Sequence, residues 1–249
     1  MMKTPILDAV IATWSKEPSA GRTLLDLSSG SGLSSERLAA LGFYVVATEY
    51  GLPVAMSAGI LRVGGVDLNC PLPFRAGSFD AVDVVEVIEH IENQPQLIRE
   101  IARVLKPDGA VVISTPNVLN LMSRVRFLFT GFLRGRVRPA HYTSKPGQAP
   151  NIYLLHWYEL YYLLFHYGFE VTGLAKTRVK FAARFFTLVF WPFMWLFSLI
   201  TVIHAEKDPV QRRYNWQILS FLFDPALLLS DNIVVQARKV PRGENRPGS

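Results

Sequence analysis

Cysteine and charged residues are both scarce in this chain of 249 residues. Cys70 is the only cysteine, so no disulfide can form within the chain, and a reducing compartment is expected. Only 18% of the residues are charged and 50% are apolar, whereas typical soluble domains are about 25% charged. This composition excludes intrinsic disorder. We find no internal repeat, and we expect no secretory signal because Asp8 interrupts the first apolar stretch.

The charge that is present is unevenly distributed. Residues 1–110 carry 9 Lys+Arg and 13 Asp+Glu, whereas residues 111–249 carry 17 and 7. The front half is therefore mildly acidic and the back half is basic. A basic, aromatic-rich back half predicts contact with an anionic partner, such as a membrane surface or a phosphorylated substrate.

Strand and helix patterns alternate along the chain. Short apolar runs predict buried strands, and amphipathic stretches predict helices. The predicted strands are residues 23–27, 43–48, 66–68, 79–87, 110–114, 169–174 and 233–237. The predicted helices are residues 34–41, 95–105 and 157–166, and residues 106–109 are predicted to form a turn. Strands separated by helices indicate an α/β fold with a parallel sheet covered on both faces.

A loop of small residues, 28–32, follows the first predicted strand and precedes a helix. Small residues let a ligand approach the backbone closely, and a helix N-terminus favours negative charge. Glu49 ends the second strand, where a carboxylate can accept hydrogen bonds from both hydroxyls of a ribose. A Ser/Gly turn beside a solvated glutamate is the alternative. A nicotinamide site fits poorly, because Ser35 stands where its fingerprint requires Gly or Ala.

The segment Asp26-Leu27-Ser28-Ser29-Gly30-Ser31-Gly32 resembles the first motif of the class I S-adenosylmethionine (SAM)-dependent methyltransferases, with Ser28 in place of the first glycine. Later segments are similar to the small-molecule and quinone-type members of that family. They are Asp67-Leu68-Asn69, Leu72-Pro73-Phe74, Gly77-Ser78-Phe79-Asp80, Glu86-Val87-Ile88-Glu89-His90, Arg103-Val104-Leu105-Lys106-Pro107-Asp108-Gly109, Ser114-Thr115-Pro116-Asn117 and Tyr167-Gly168-Phe169-Glu170-Val171. The resemblance covers residues 20–175 and resumes at 231–239. It implies a Rossmann-like, doubly wound, seven-stranded sheet with an antiparallel last strand.

The resemblance also implies SAM as the cofactor and assigns roles to single residues. The implied cofactor-binding residues are Asp26, Ser28, Gly30, Gly32, Glu49, Asp67, Leu68 and Glu86. Asp26 and Gly30 are expected against the amino-acid end of SAM, and Glu49 at the ribose. Asp67 is expected to accept a hydrogen bond from the adenine amino group, with Leu68 beside the ring. A turn-capping role is the alternative for Asp67.

His90 is the candidate catalytic residue, because methyl transfer to a hydroxyl requires removal of its proton. His90 is the only histidine of the front half and follows a strand expected to line the pocket. The alternative is that His90 caps the segment 88–93 or merely shapes the pocket. Glu86, Glu89 and His90 resemble a metal-binding run of the small-RNA 3′-end 2′-O-methyltransferases. Asn151 stands where that family needs a further histidine, so no metal site is predicted.

A hydrophobic segment separates the sixth and seventh predicted strands. Residues 185–203 contain no charge and would form a helix about 28 Å long, with Pro192 near its middle. A single crossing of a membrane would leave the seventh strand on the wrong side, and residues 216–229 are too short and polar for a return. The segment is therefore predicted to lie in one leaflet of a membrane.

Cations flank this segment, where lipid phosphates would bind them. They are Lys176, Arg178, Lys180, Arg184, Arg212 and Arg213. Residues 121–138 likewise mix Phe and Leu with arginines, among them Arg124 and Arg126. The alternative is a buried lid or a dimer interface. A nucleic-acid partner ranks lower, because the cations flank apolar runs and do not line a polar groove.

These inferences predict a methyltransferase domain at residues 1–175, a membrane-associating insertion at 176–230, the last strand at 231–240 and a flexible tail at 241–249. The predicted function is SAM-dependent methyl transfer, at the cytoplasmic face of a membrane, to a hydroxyl of an amphipathic or lipid-linked small molecule. The enzyme would be peripherally associated with that membrane. The alternatives are a non-catalytic, membrane-tethered scaffold and a soluble enzyme whose insertion covers its own pocket.

Overall fold

The computed structural model describes residues 4–51, 59–132, 153–179, 181–205 and 208–240. A single sheet and its flanking helices account for most of them. In chain order the elements are α1 (Thr4–Trp14), β1 (Thr23–Asp26), α2 (Leu33–Ala40), β2 (Tyr44–Thr48), β3 (Leu61–Val63), β4 (Phe79–Val85), a 3-10 helix (Ile88–His90), α3 (Gln94–Val104), β5 (Leu105–Pro116), α4 (Leu121–Thr130), α5 (Trp157–His166), β6 (Phe169–Lys176), α6 (Phe181–Ala205), α7 (Pro209–Leu222), α8 (Pro225–Leu229) and β7 (Asn232–Lys239).

The sheet has seven strands in the order β3-β2-β1-β4-β5-β7-β6. Strands β1 to β5 pair in parallel, whereas β7 is antiparallel to both β5 and β6. The predicted doubly wound sheet with an antiparallel last strand is confirmed. The carboxyl ends of the parallel strands share one edge, which is where ligands bind in such sheets.

The position of the third strand was predicted wrongly. The strand is Leu61–Val63, which pairs with β2, and residues 66–68 lie outside the sheet. Gly65 has a φ of 71° and turns the chain away from the sheet. Val66 and Leu68 are buried in the core, so the apolar alternation that indicated a strand arises from core packing.

Helix α1 has no counterpart among the sequence predictions. Its buried face consists of Ile6, Val10 and Trp14, spaced four residues apart as on one side of a helix. These side chains pack against one face of the sheet, together with Leu24 of β1 and Val45 of β2.

The opposite face of the sheet carries the larger core. Helices α3 and α5 pack on it, and the insertion also contributes through Leu219 and Leu222 of α7 and Leu227 of α8. The second half of the insertion therefore forms part of the main core. The predicted domain boundaries stay a prediction, and the predicted tail at 241–249 lies outside the described residues.

The two ends of the insertion meet beside the sheet. Val179 and Ser230 form an isolated antiparallel bridge. Thr177 donates from its backbone N–H to Ser230 Oγ at 3.2 Å and from its Oγ1 to the Asn232 carbonyl oxygen at 2.7 Å. We call these contacts the insertion clasp. The chain leaves the sheet and returns to it at one place.

Helices α4 and α6 lie against each other and share an exposed apolar surface. On α6, Phe193 is 60% exposed and Phe197 is 65% exposed. On α4, Leu128 is 77% and Phe129 is 78% exposed. Patches of this kind mark interaction sites. Within the described ranges, no helix combines the length and apolarity needed to cross a membrane.

The predicted turn at residues 106–109 lies inside β5 as a bulge. Phe79 pairs with Leu105 and Ala81 with Ala110, so four residues of β5 stand opposite Asp80 alone. Lys106 Nζ binds both carboxylate oxygens of Asp80 at 2.9 Å. The bulge therefore has a fixed shape with little free space at its end.

We predict that Gly109→Ala destabilises the fold by about 1–3 kcal/mol. A Cβ atom at Gly109 would lie 2.8 Å from Leu105 Cδ2 and 3.0 Å from the Lys106 carbonyl oxygen, so the bulge must shift. Urea unfolding followed by circular dichroism measures the loss. Gly51→Ala is the matched control, because its Cβ meets nothing within 4 Å. Equal stability of the two variants would contradict the prediction.

Candidate functional site

The loop between β1 and α2 has the conformation of a ligand-binding turn. Ser28, Gly30 and Gly32 have φ values of 58°, 56° and 79°, all in the left-handed region that glycine favours. Ser28 thus adopts the backbone conformation of the glycine that it replaces. Its N–H donates to Thr48 Oγ1 at 3.1 Å, and the Ser29 N–H donates to the Thr48 carbonyl oxygen at 2.9 Å. The loop is therefore bonded to the end of β2.

Glu49 follows β2 and reaches this loop. The Gly30 N–H donates to Glu49 Oε2 at 2.7 Å, and Ser28 Oγ lies 3.5 Å from Oε1. A carboxylate has about four acceptor positions, so these contacts orient the group and leave it able to accept further hydroxyl donors. The loop and the carboxylate form one unit, and the ribose-binding role of Glu49 stays a prediction.

Asp67 and Leu68 lie beside this unit. The Val66 N–H donates to the Glu49 carbonyl oxygen at 3.0 Å, which brings the following residues next to Glu49. Asp67 Oδ1 accepts from the Asn69 N–H at 2.9 Å, so Asp67 does cap a turn. Leu68 is 7% exposed and packs in the core. The adenine-binding role of this pair stays a prediction.

Two buried carboxylates lie beneath the loop, side by side on β1 and β4. Ser35 Oγ donates to Asp26 Oδ2 at 2.5 Å, Ser34 Oγ donates to Asp83 Oδ2 at 3.0 Å, and Trp14 Nε1 donates to Asp83 Oδ1 at 2.8 Å. Burial raises the pKa of Asp26 to about 6. Burial, together with the charge of Asp26, raises the pKa of Asp83 to about 8. At neutral pH the pair therefore retains a proton.

Glu86 follows β4 and is held from two neighbouring strands. It has a φ of 55°, which is uncommon for a residue other than glycine. Its N–H donates to Ser114 Oγ at 3.0 Å, and Asn232 Nδ2 lies 3.0 Å from each carboxylate oxygen. Residues of β5 and β7 thus fix Glu86 at the carboxyl edge of the sheet.

Glu89 and His90 come next in the 3-10 helix. Glu89 is 1% exposed and accepts from Thr115 Oγ1 at 3.3 Å. Burial, reinforced by the negative charge of Glu86, raises the pKa of Glu89 to about 8, so its carboxyl is protonated at neutral pH. Glu89 Oε1 and His90 Nδ1 are both buried and have no hydrogen-bond partner in the described part of the chain.

Other buried polar atoms without a partner lie at the same edge. Arg124 Nη2, just beyond β5, and Trp157 Nε1, at the start of α5, are two more within the described ranges. The Tyr153 N–H donates to the Glu89 carbonyl oxygen at 3.2 Å, which joins the approach to α5 to the 3-10 helix. Buried polar groups are normally satisfied, so their concentration beyond β4 and β5 marks a place for a polar ligand.

The structure brings the predicted residues into two groups at one sheet edge. Asp26, Ser28, Gly30, Gly32 and Glu49 surround the first loop, with Asp67 and Leu68 beside them, whereas Glu86 and His90 lie beyond β4. In the residues that the structure describes, no three His, Cys, Asp or Glu side chains are grouped to hold a metal ion. Asn151 lies outside those residues, and the absence of a metal stays a prediction.

Three residues of the site were not predicted from the sequence. The sequence contains a feature that could have indicated Asp83, because it is an acid inside the buried run of β4. It contains no such feature for Asn232, because 146 positions separate it from Glu86. Arg124 was predicted among lipid phosphates, yet its Nη2 atom is enclosed, because its side chain turns inward from α4.

Comparisons with known proteins agree with this geometry. Residues 25–113 match the family described as "Methyltransferase domain". The ubiquinone biosynthesis O-methyltransferase of Xanthomonas oryzae pv. oryzae is 35% identical over 109 residues, which are 39% of this chain and 44% of that protein. The demethylmenaquinone methyltransferase of Clavibacter sepedonicus is 37% identical over 119 residues, 44% of this chain and 48% of that protein.

Among solved structures, an S-adenosylmethionine-dependent methyltransferase from Mesorhizobium loti superposes with a TM-score of 0.53 at 15% identity. The match covers 94% of this chain and 100% of that one, which shows a shared fold. The chain spans less than half the length of the curated relatives it matches.

We predict that Asp83→Asn makes the fold less sensitive to alkaline pH. With a folded pKa of about 8 against an ordinary value of 3.8, folded Asp83 keeps a proton that the unfolded chain has lost. Stability therefore falls as pH rises through this window. In Asp83→Asn the fall in melting temperature between about pH 5 and pH 9 should be roughly half as large, because Asp26 and Glu89, whose pKa values are also raised, still contribute.

Differential scanning calorimetry over that pH range measures the effect. Glu92→Gln, which alters an exposed carboxylate, is the matched control and should follow the unmodified protein. If the melting temperature of Asp83→Asn changes with pH as that of the unmodified protein does, Asp83 is not the group that titrates.

Proposed function

Because the chain contains a methyltransferase domain of the class I SAM-dependent family, we propose that it transfers the methyl group of SAM to a hydroxyl of an amphipathic small molecule at a membrane surface. The bond between the β1–α2 loop and the Glu49 carboxylate is the observation that carries this proposal. It supports the proposal because it holds a carboxylate, which can accept from hydroxyl donors, beside a turn of small residues.

The residues of the first group fit the parts of SAM. Glu49 would accept from the ribose hydroxyls, Asp67 from the adenine amino group, and Leu68 would contact the ring. The loop residues Ser28, Gly30 and Gly32, with Asp26 below them, would hold the amino-acid end. A Cβ at Gly30 would meet nothing within 4 Å, which supports open space above the loop.

The second group of residues, which lies beyond β4, would bind the acceptor and act on its hydroxyl. SAM supplies a methyl group that is already activated, so the protein mainly aligns the acceptor oxygen and removes its proton. His90 is the candidate base, because its Nδ1 has no hydrogen-bond partner among the described residues. Glu89 is protonated at neutral pH and is suited to donate a hydrogen bond. Glu86 would lie between the cofactor-binding residues around the β1–α2 loop and the acceptor-binding residues beyond β4.

The acceptor class is inferred from the relatives and from the surface. The matched relatives are named for ubiquinone biosynthesis and for demethylmenaquinone, which supports an amphipathic acceptor. The exposed apolar surface of α4 and α6 supports docking to lipid. Exposed Lys176, Arg178 and Arg213 would bind anionic headgroups beside it.

We expect the chain to place a labelled methyl group in the lipid fraction when it is incubated with membrane extract and isotope-labelled SAM. Glu49→Gln should weaken SAM binding about 10- to 100-fold, because hydrogen bonds to a charged group are lost. His90→Gln should leave SAM binding unchanged and lower the methylation rate about 100-fold or more.

Isothermal calorimetry with SAM and mass spectrometry of the extract measure the two effects, with Glu92→Gln as the control. SAM binding that is unaffected by Glu49→Gln would refute the cofactor site. A labelled lipid formed equally well by His90→Gln would refute the assigned base.

We also expect the protein to float with vesicles that contain phosphatidylglycerol. The double variant Phe193→Ser/Phe197→Ser should bind them about 10- to 100-fold more weakly, because two exposed aromatic side chains no longer enter the lipid. The control is Tyr44→Ser/Leu61→Ser, which alters two residues of similar exposure, 66% and 61%, at the other end of the sheet. Protein that stays at the bottom of the gradient would overturn the membrane proposal.

A further inference from the structure

Arg124 is a partly buried cation in the second turn of α4. Its Nε donates to the Leu119 carbonyl oxygen at 2.7 Å, whereas Nη2 is buried without a hydrogen-bond partner in the described part of the chain. Burial lowers the pKa of the Arg124 guanidinium, yet an arginine remains charged at neutral pH. An enclosed charge without a counter-ion is costly.

Among the described residues, the helices packed against α4 supply no carboxylate for Arg124. The described segments that form α4, α6 and α8 contain no Asp or Glu. Glu159 of α5 accepts from the His156 N–H at 2.9 Å, and Asp224, which caps α8, accepts from the Ala226 N–H at 2.6 Å. The neighbour that interacts electrostatically with Arg124 is the Tyr158 hydroxyl, which is neutral at physiological pH.

Helix α4 continues from this cation to an apolar surface. Leu128 is 77% exposed and lies four residues after Arg124, so both are on one side of the helix, about 6 Å apart along its axis. One side of α4 thus presents a positive charge at the sheet edge and apolar side chains farther out. That arrangement is complementary to a molecule with an acidic head and an apolar chain.

We propose that Arg124 binds a carboxylate or phosphate group of the methyl acceptor, so that the acceptor is an amphipathic acid whose chain lies along α4. This inference rests on the proposed methyl-transfer function and specifies its acceptor. The anion would supply the counter-charge that the described helices around Arg124 lack. It also fixes the acceptor at the edge where Glu89 and His90 have unpartnered buried atoms.

Binding to the full-length protein, saturated with S-adenosylhomocysteine, tests the proposal. The probes are 4-(dodecyloxy)benzoate, its uncharged methyl ester, dodecyl phosphate and inorganic phosphate. The two amphipathic acids should bind about 10- to 100-fold more tightly than the ester, the range expected for hydrogen bonds to a charged partner. Inorganic phosphate should bind more weakly than dodecyl phosphate, because it lacks the chain.

Arg124→Gln should abolish the preference for the acids, since its amide can still donate to Leu119 but carries no charge. Arg124→Lys should retain part of the preference, which keeps the test decisive if the glutamine variant unfolds. Arg126→Gln is the matched control, because Arg126 is exposed on the same helix two residues away and therefore on a different side.

Equal binding of acid and ester by the unmodified protein, or a preference that survives in Arg124→Gln, would overturn the proposal. Inorganic phosphate that binds as tightly as dodecyl phosphate would overturn its amphipathic part. Binding of S-adenosylhomocysteine is measured on the same samples. If that binding is absent, the methyltransferase proposal fails, whereas normal binding without acid preference refutes only the role of Arg124.

Discussion

The antiparallel pairing of β7 between β5 and β6 is the constraint on which the rest of the structure depends. It requires the chain that leaves β6 to return to the same end of the sheet, and here α6, α7 and α8 lie between the two strands. The insertion clasp at Thr177, Val179 and Ser230 marks that return. Because β7 begins at Asn232, its first side chain lies within hydrogen-bond distance of Glu86. A pairing required by the fold thus also positions a residue of the site.

Electrostatics divide the carboxylates of the site into two classes. Glu49 lies at the loop and accepts from a backbone N–H, so it is suited to hold hydroxyl donors. Asp83 and Glu89 are buried, and their raised pKa values keep them protonated at neutral pH. A protonated carboxyl can donate a hydrogen bond, which an ionised one cannot do. Burial, more than residue type, therefore decides which carboxyl of the site is ionised at neutral pH.

Much of the fold and the first half of the site could be predicted from local sequence. The strand runs, the Ser/Gly loop and Glu49 are close in the chain or at strand ends, and parallel strands bring their ends together. Residues 66–68 were predicted wrongly as a strand because burial in a core and burial in a sheet produce the same apolar pattern. The bond from Asn232 to Glu86 and the inward turn of Arg124 depend on contacts between distant segments, which periodicity does not encode.

The insertion clasp has an evolutionary consequence. The ends of the segment from 180 to 229 are joined at the sheet, so the intervening chain can lengthen, shorten or diverge without changing the spacing of β6 and β7. Packing limits that freedom, because α7 and α8 contribute to the main core and Val202 of α6 packs against it. Changes in the outer part of this segment would therefore leave the loop between β1 and α2 and the end of β4 in place, since both lie in other parts of the chain.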